Sequence, residues 1–285
     1  MIEGMGRRIK RARRAAGKSR SELAAAIGTD ERTLSSYEAD VAFVPDQAIL
    51  GMSKCLKIHP EFFFRDETVE LGSIKFHNSI KPTKREFEQI VEKITEKAER
   101  LINAIELFEK NPIPEFSIPK EISSKIKSLG DVQKAAETIG KLWGIEPGQE
   151  IIRILEAHGI LVFDLEGVTA KCNGVSTTVN GLPAIAVHGQ NFEQQQRALA
   201  HELGHLILKD RLDGLDEEAA CNAFAGVFSP KETEDWEGER ALDKSHLLED
   251  LTWRAFKEDI IPSSVAARLL GMSASDFQDK LEKAP

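Results

Sequence analysis

The stretch His201-Glu202-Leu-Gly-His205 has residue types and a spacing that suit metal chemistry. It lies in an apolar run of good helix formers, and positions four apart on an α-helix share one face. His201 and His205 can therefore present two imidazoles to one point, while Glu202 lies about 100° round the helix from His201. This pattern is typical of a zinc ion that activates a water molecule beside a carboxylate, so we predict Zn²⁺ here with Glu202 as the general base.

Two histidines leave the predicted site short of one ligand, because catalytic zinc usually has three protein ligands and one open position. Candidates lie in the acidic stretch 213–225, whose apolar positions predict a second helix facing the first. Glu217, Glu218 and Cys221 all belong to this stretch. For Cys221 a packing role is favoured, since small buried cysteines are common.

The elements that must position these residues form a compact α+β pattern in residues 126–230. Two helices are predicted first, then three strands, of which the last two flank a turn at Asn180-Gly181, and then the histidine-bearing helix. The predicted helices and strands are Asp131–Trp143, Gly148–His158, Ile160–Leu165, Lys171–Thr178 and Leu182–Val187. We expect the sheet to be small and antiparallel. If Leu182–Val187 is its edge strand, an extended peptide can pair with it and place a carbonyl beside the metal.

Charge is distributed unevenly along the chain. The net charge is −9, which argues against a protein whose whole surface binds nucleic acid. The first twenty residues nevertheless contain one acid, Glu3, against the bases Arg7, Arg8, Lys10, Arg11, Arg13, Arg14, Lys18 and Arg20. This asymmetry indicates a basic binding module attached to an acidic body.

Residues 1–66 contain the start and stop signals of several short helices. A basic helix ends at Gly17, Ser19 and Glu22 form a capping-box pair, Gly28 ends the second helix, and Asp30 is the N-cap of a third. Two short helices joined by a glycine turn, with a polar second member, predict a helix-turn-helix. The alternative is a helical bundle that binds protein rather than DNA.

The middle of the chain, residues 67–125, contains a long helix and a proline-rich linker. Apolar residues repeat by 4 and 3 along a predicted helix over residues 83–110, at Phe87, Val91, Ile94, Ala98, Leu101, Ile105 and Phe108. Either two copies pair through this seam as a homodimer, or the helix docks against its own chain. Residues 111–119 are rich in proline and mark the best domain boundary.

Composition bounds the cellular setting. The chain has 285 residues, no apolar run near the length of a membrane span, and a polar start that does not resemble a signal peptide. Its three cysteines are too few and too scattered for a disulfide framework. We therefore expect a cytoplasmic protein without membrane contact.

The N-terminal pattern resembles the XRE-type, phage-repressor-like helix-turn-helix family. Ser19, the Glu22-Leu23-Ala24 run, Gly28 and the run from Thr33 to Glu38 carry this resemblance, which covers roughly 60 residues. Ala39-Asp40 stands where that family has a glycine. The resemblance implies an operator-binding surface with Arg20 at the start of the second helix and with Glu31, Arg32 and Ser36 facing the groove. Arg32 could grip guanine, Glu31 could accept from cytosine, and the basic first helix would contact phosphates.

The metal motif, followed by Glu218-x-x-Cys221-Asn222-x-Phe224-Ala225, resembles the ImmA/IrrE-type metallopeptidases. This resemblance implies that Glu218 is the third ligand and that the domain is zincin-like. Asn222 shares a helix face with Glu218 and could brace the site. The only tyrosine, Tyr37, lies in the first module, so no tyrosine is expected to stabilise an oxyanion.

We therefore expect a mostly helical α+β protein: a helix-turn-helix in 1–66, a linker region in 67–125, a metallopeptidase domain in 126–230 and a helical region in 231–285. The expected function is a DNA-binding zinc metalloprotease that cleaves a helix-turn-helix repressor in stress response, mobile-element transfer or phage defence. The alternative is a transcription regulator or antitoxin whose metal fold senses a ligand or partner and cleaves nothing.

Overall fold

A computed structural model describes residues 5–56, 58, 60–64, 69–76, 82–168, 173–189, 191–229 and 241–283. The chain forms two compact units. The first comprises Met1–Val69, Pro82–Glu96 and Gly167–Lys171, and the second comprises Glu70–Lys81, Lys97–Glu166 and Cys172–Pro285. The long middle helix is thus shared between the units rather than forming a segment of its own, and the C-terminal helices belong to the second unit.

The first unit is helical and is built as the cap residues predict. Ser19 and Glu22 form both bonds of the capping box, and the Asp30 side chain accepts from the backbone N–H of Thr33. The helices pack their apolar sides around the fully buried Ile9, Leu23, Leu34, Met52 and Phe63. They are α1 (Met5–Ala15), α2 (Arg20–Ala26), α3 (Glu31–Glu38), α4 (Asp46–Leu56) and a 3₁₀ helix at Pro60–Phe64.

The long helix α5 spans Lys84–Ile105, which is shorter at its C-terminal end than the predicted 83–110. Ile94, Ala98 and Leu101 of the apolar seam are at most 4% exposed within the single chain. This burial favours the helix docked against its own chain over pairing with a second copy. Beyond Ile105 the chain leaves the helix, and Phe108 packs against the cluster formed by the C-terminal helices.

The second unit packs helices against a small sheet. Its core joins residues from the first helices, the sheet and the metal-motif helix, including Ile139, Leu155, Ile185, Leu203 and Phe224. The helices are α6 (Leu129–Trp143), α7 (Ile152–Ala157), α8 (Phe192–Leu208), α9 (Glu217–Val227), α10 (Leu247–Lys257), α11 (Ser263–Leu270) and α12 (Ala274–Lys283). The strands are β1 (Lys75–Phe76), β2 (Leu161–Asp164), β3 (Gly174–Val179) and β4 (Leu182–Val187).

The sheet has the order β1-β3-β4-β2 and is mixed, so the prediction of an antiparallel sheet is wrong. The β3–β4 hairpin turns at Asn180-Gly181 as predicted, with positive φ at both residues. β2 lies on the other side of β4 and runs parallel to it. Because β4 therefore has a neighbour on each side, its predicted role as a free edge for peptide pairing is also wrong. Residues 171–172 of the predicted strand Lys171–Thr178 lie outside the described part of the chain.

In the part of the chain that the structure describes, no helix has both the length and the apolar character needed to cross a membrane.

Candidate metal site and helix-turn-helix surface

The helix α8 carries the predicted histidines and is anchored by its apolar side. The Asn191 side chain caps its N-terminus by accepting from the backbone N–H of Gln194 at 2.9 Å. Leu199 and Leu203 are completely buried in the core, which fixes the rotation of the helix. His201 and His205 then lie one turn apart on the same face, with their Nε2 atoms 3.2 Å apart.

The helix α9 brings a carboxylate to the two imidazoles because it packs closely against α8. Gly204 makes this approach possible, since a Cβ at that position would lie only 3.3 Å from the Cα of Cys221. Asp216 caps α9 by accepting from the backbone N–H of Ala219. The first turn of α9 therefore begins beside the histidines, and it places Glu218 opposite them.

Three side chains converge as a metal-binding group: His201, His205 and Glu218. The Glu218 carboxylate lies 3.4 Å from Nε2 of His201 and 3.5 Å from Nε2 of His205. Tetrahedral zinc with bonds of about 2.0–2.2 Å needs donor atoms roughly 3.3–3.6 Å apart. The shortest contacts lie close to that range, with 3.2 Å between the imidazoles, 3.4 Å from Oε2 of Glu218 to His201 and 3.5 Å from Oε1 of Glu218 to His205. Two imidazoles with one carboxylate are a donor set that catalytic zinc uses.

Glu202 lies beside this group and is nearly inaccessible, with 2% of its surface exposed. Burial, together with the charge of Glu218, raises the pKa of its carboxyl to about 8, although a hydrogen bond with Ser176 opposes the shift. Because its pKa is near neutrality, this carboxyl can both take up and release a proton, as a general acid–base requires.

Glu217 was a candidate for the third ligand, but in the structure it contacts His205 and is not part of the converging group. Its Oε1 lies 2.8 Å from Nδ1 of His205, so the Nδ1–H donates to the carboxylate. This bond fixes the tautomer of His205 and leaves the Nε2 lone pair directed at His201 and Glu218. Sequence reasoning could have identified Glu217, because it lies in the first turn of its helix and directly precedes the proposed ligand Glu218.

Asn222 and Cys221 occupy different faces of α9. Asn222 is exposed on the site side and hydrogen-bonds His201. Burial, together with the neighbouring His205 and Arg197, lowers the pKa of His201 to about 4, although the hydrogen bond with Asn222 opposes the shift. Cys221 is fully buried against α8 and is not part of the converging group.

A cleft of about 540 Å³ opens onto the site. Its walls include the proposed ligands His201 and Glu218 together with Glu202 and Asn222, all from α8 and α9. The remaining walls come from β1 and the start of β3 and from the first turns of α8, namely Phe76, Asn173, Gly174, Gln194, Arg197 and Ala198. The cleft is therefore large enough for part of a polypeptide and ends on the converging group.

The predicted DNA-contacting residues lie on or near α3. Glu31 and Arg32 are exposed in its first turn, and Ser36 is partly exposed with its hydroxyl donating to the Arg32 carbonyl at 3.1 Å. Arg20 begins α2, and its Nε donates to Glu38 at 2.8 Å. Arg32 is thus presented to solvent, whereas Arg20 is held by an ion pair inside its own unit.

The basic first helix is less available to phosphates than its composition predicts. Arg13 is buried and pairs with Glu38 at 2.5 Å, and Arg8 is 1% exposed with its guanidinium over the Phe62 ring. Further along the same helix, Arg11 and Arg14 form ion pairs with glutamates of α5 at 2.9 Å. Internal carboxylates or an aromatic ring therefore engage these four arginines, and the phosphate contacts of this helix stay a prediction.

Asp40 takes over the position at which the helix-turn-helix family has a glycine. Its φ of 55° lies in the left-handed region, which aspartate tolerates better than most residues. Its carboxylate accepts from the backbone N–H of Gly6 at 2.6 Å, at the start of α1. Asp40 therefore adopts a left-handed conformation after α3 and satisfies a backbone donor at the start of the first helix.

Comparison with known proteins supports the first unit directly. A helix-turn-helix family model matches residues 9–63. This match supports a DNA-binding regulatory role, and it does not extend to the residues of the metal-binding group. No curated protein and no solved structure matches the chain.

Proposed function

We propose that the protein is a DNA-binding regulator whose second unit is a zinc-dependent endopeptidase that cleaves a helix-turn-helix repressor or a similar regulator. The observation that carries this proposal is the convergence of His201, His205 and Glu218, whose nearest donor atoms lie 3.2–3.5 Å apart, beside a cleft. The buried Glu202 lies at the same place, as a hydrolytic site requires.

In this proposal, zinc held by the three ligands supplies Lewis acidity and a water molecule of lowered pKa. Glu202 takes a proton from the attacking water and later donates it to the leaving amine. The Ser176 hydroxyl, which hydrogen-bonds Glu202, holds the carboxylate in place during both transfers. Glu217 keeps the His205 ring in the orientation that presents Nε2.

The substrate class follows from the resemblance to ImmA/IrrE-type peptidases and from the first unit. An operator-binding domain brings the peptidase to DNA sites at which repressors are bound, which raises their local concentration. A repressor cleaved there would release the genes it controls. Zinc also suits the donor set better than magnesium or calcium, which prefer oxygen ligands.

The test is incubation of the zinc-loaded protein with helix-turn-helix repressors encoded beside it, with and without chelator, followed by mass spectrometry. We expect fragments that disappear with chelator and that the Glu202→Gln variant does not form, although this variant still holds zinc. If no fragments form while the protein still retards operator DNA in a gel shift, the non-proteolytic regulator is the correct account. A gel shift at increasing salt checks the phosphate contribution to DNA binding.

A further inference from the structure

The chain places one of its own segments along the outer edge of β3. The backbone N–H of Gly72 donates to the Thr178 carbonyl at 2.8 Å, and the backbone N–H of Asn180 donates to the Glu70 carbonyl at 2.9 Å. The Asn180 side chain also accepts from the backbone N–H of Glu70 at 2.7 Å. Further along, β1 continues the antiparallel pairing, with Phe76 opposite Val175. Residues 70–76, here called the internal strand, thus pair with β3 at both ends.

The internal strand leads to the metal-binding group. β3 begins at the cleft, where Gly174 forms part of the wall. Ser176, which lies on β3, hydrogen-bonds Glu202. Phe76, at the end of the internal strand, lines the same cleft as His201 and Glu218. The edge of the sheet that is nearest the proposed ligands is therefore covered by the protein itself.

This edge is the natural place for an extended peptide to bind. A sheet edge offers a row of backbone donors and acceptors, and an extended peptide that adds to it gains those hydrogen bonds. β4 has neighbours on both sides, and no residue of β2 lines the cleft. Among the described strands, β3 is the one whose outer edge both runs to the cleft and would become free if residues 70–76 moved away.

We propose that the internal strand, residues 70–76, occupies the substrate-docking edge of β3 as a stand-in for an extended peptide, so that the resting protein is autoinhibited. This inference rests on the proposed peptidase function. A substrate peptide must displace the internal strand, which competes at an effective concentration on the order of millimolar because it is tethered. Phe76, which lines the cleft, indicates the substrate class: an extended segment with a large apolar side chain near the cleft.

A reversible cross-link tests the proposal on the full chain. The flanking hydrogen bonds make Leu71 and Val179 a non-hydrogen-bonded pair, and the two Cα atoms of such a pair lie about 4.5 Å apart, within reach of a disulfide. In the variant Leu71→Cys/Val179→Cys, oxidation should lock the internal strand onto β3, and a phosphine reductant should free it. The single variants Leu71→Cys and Val179→Cys control for the substitutions themselves.

A second variant releases the internal strand without a disulfide. A Cβ on Gly72 would lie 2.3 Å from Oγ1 of Thr178, so Gly72→Val should push the strand away from β3. Ser73→Val is the matched control, because Ser73 is exposed and the same side chain is introduced one residue further on.

The first readout is binding of a fluorescein-labelled peptide with the sequence of residues 70–76, followed by fluorescence anisotropy. This probe needs neither metal nor catalysis. We expect Gly72→Val to bind it at least about tenfold more tightly than the wild type, Ser73→Val to match the wild type, and the oxidised double-cysteine variant to show no binding. Equal peptide affinity in all these forms would overturn the proposal.

The second readout is cleavage of a repressor by the zinc-loaded forms, with at least about tenfold faster cleavage by the reduced double-cysteine variant than by the oxidised one. Equal cleavage by the two forms would overturn autoinhibition and leave the peptidase intact. Peptide binding that follows the expected order, without cleavage by any form, would instead overturn the peptidase and leave β3 as a peptide-docking edge.

Discussion

Removal of the Glu217 carboxylate should weaken zinc binding although none of the three proposed ligands is altered. Glu217 accepts the Nδ1–H of His205 at 2.8 Å, and His205 is almost completely buried. Without this acceptor the imidazole loses the group that fixes its tautomer and its orientation. Zinc binding to the Glu217→Ala variant should then be less favourable, because part of the binding free energy is spent on reorienting the ring.

The magnitude follows from the geometry of the pair. Loss of a carboxylate that orients a ligating histidine typically costs 10–100-fold in metal affinity, or about 1.4–2.7 kcal/mol. The Glu217 side chain is 47% exposed, so water screens its charge and we expect the lower end, about tenfold. Glu217→Gln retains an acceptor for the Nδ1–H but loses the charge, so its affinity should lie between those of the wild type and Glu217→Ala.

The assay is competition for zinc against a fluorescent chelator of known affinity, at pH 7.5 and low salt. Glu193→Gln is the control, because Glu193 is exposed in the first turn of α8 and the same charge is removed from the same unit. Zinc affinity of Glu217→Ala equal to that of the wild type would refute the positioning role. An equal loss in Glu193→Gln would show that net charge alone is responsible.

Three further outcomes follow from the same structure. Burial raises the pKa of Glu156 to about 7, so its stabilising contribution is complete below pH 4.5 and is lost as pH rises through about 7. Glu156→Gln should therefore match the wild type in urea unfolding at pH 4.5 and exceed it by about 3 kcal/mol at pH 8, whereas an equal difference at both pH values would contradict this. Glu38→Ala leaves the buried Arg13 without its carboxylate, so it should lower the stability of the first unit by about 3 kcal/mol in thermal unfolding. An unchanged transition would contradict the role of this ion pair. Arg32→Ala should weaken operator binding by about 1–3 kcal/mol in a gel shift, and unchanged affinity would remove Arg32 from the interface.

The Glu156 prediction depends on the groups that face this side chain. Asp243 and Asp250 add to the upward shift of its pKa, whereas Arg153 and a hydrogen bond from Ser245 oppose it.

Local patterns in the sequence predict the elements that carry the site. The spacing of His201 and His205 within an apolar run predicts α8, and the strand predicted at Leu182–Val187 has the same bounds in the structure. The Asn180-Gly181 turn and the caps at Ser19 and Asp30 are likewise confirmed. Each of these signals depends on neighbours within a few residues, so no tertiary information is needed to interpret it.

The arrangement of elements could not be predicted in the same way. Alternating apolar residues show which face of a strand is buried, but not which strands lie beside it, so the parallel β2–β4 pair was missed. The internal strand is separated from β3 by about a hundred residues, and β1 is only two residues long. Glu217 and Glu218 are adjacent in sequence, and only the packing of α9 against α8 determines which carboxylate meets which histidine nitrogen.

The measurement that tests the central claim most directly is the zinc content of the full chain, determined by elemental mass spectrometry after saturation with zinc and gel filtration. We predict about one zinc per chain in the wild type and in Glu202→Gln, and loss of most of it in His201→Ala and Glu218→Ala. A wild-type protein that retains no zinc, or variants that retain as much as the wild type, would contradict the proposed metal site and the peptidase built on it.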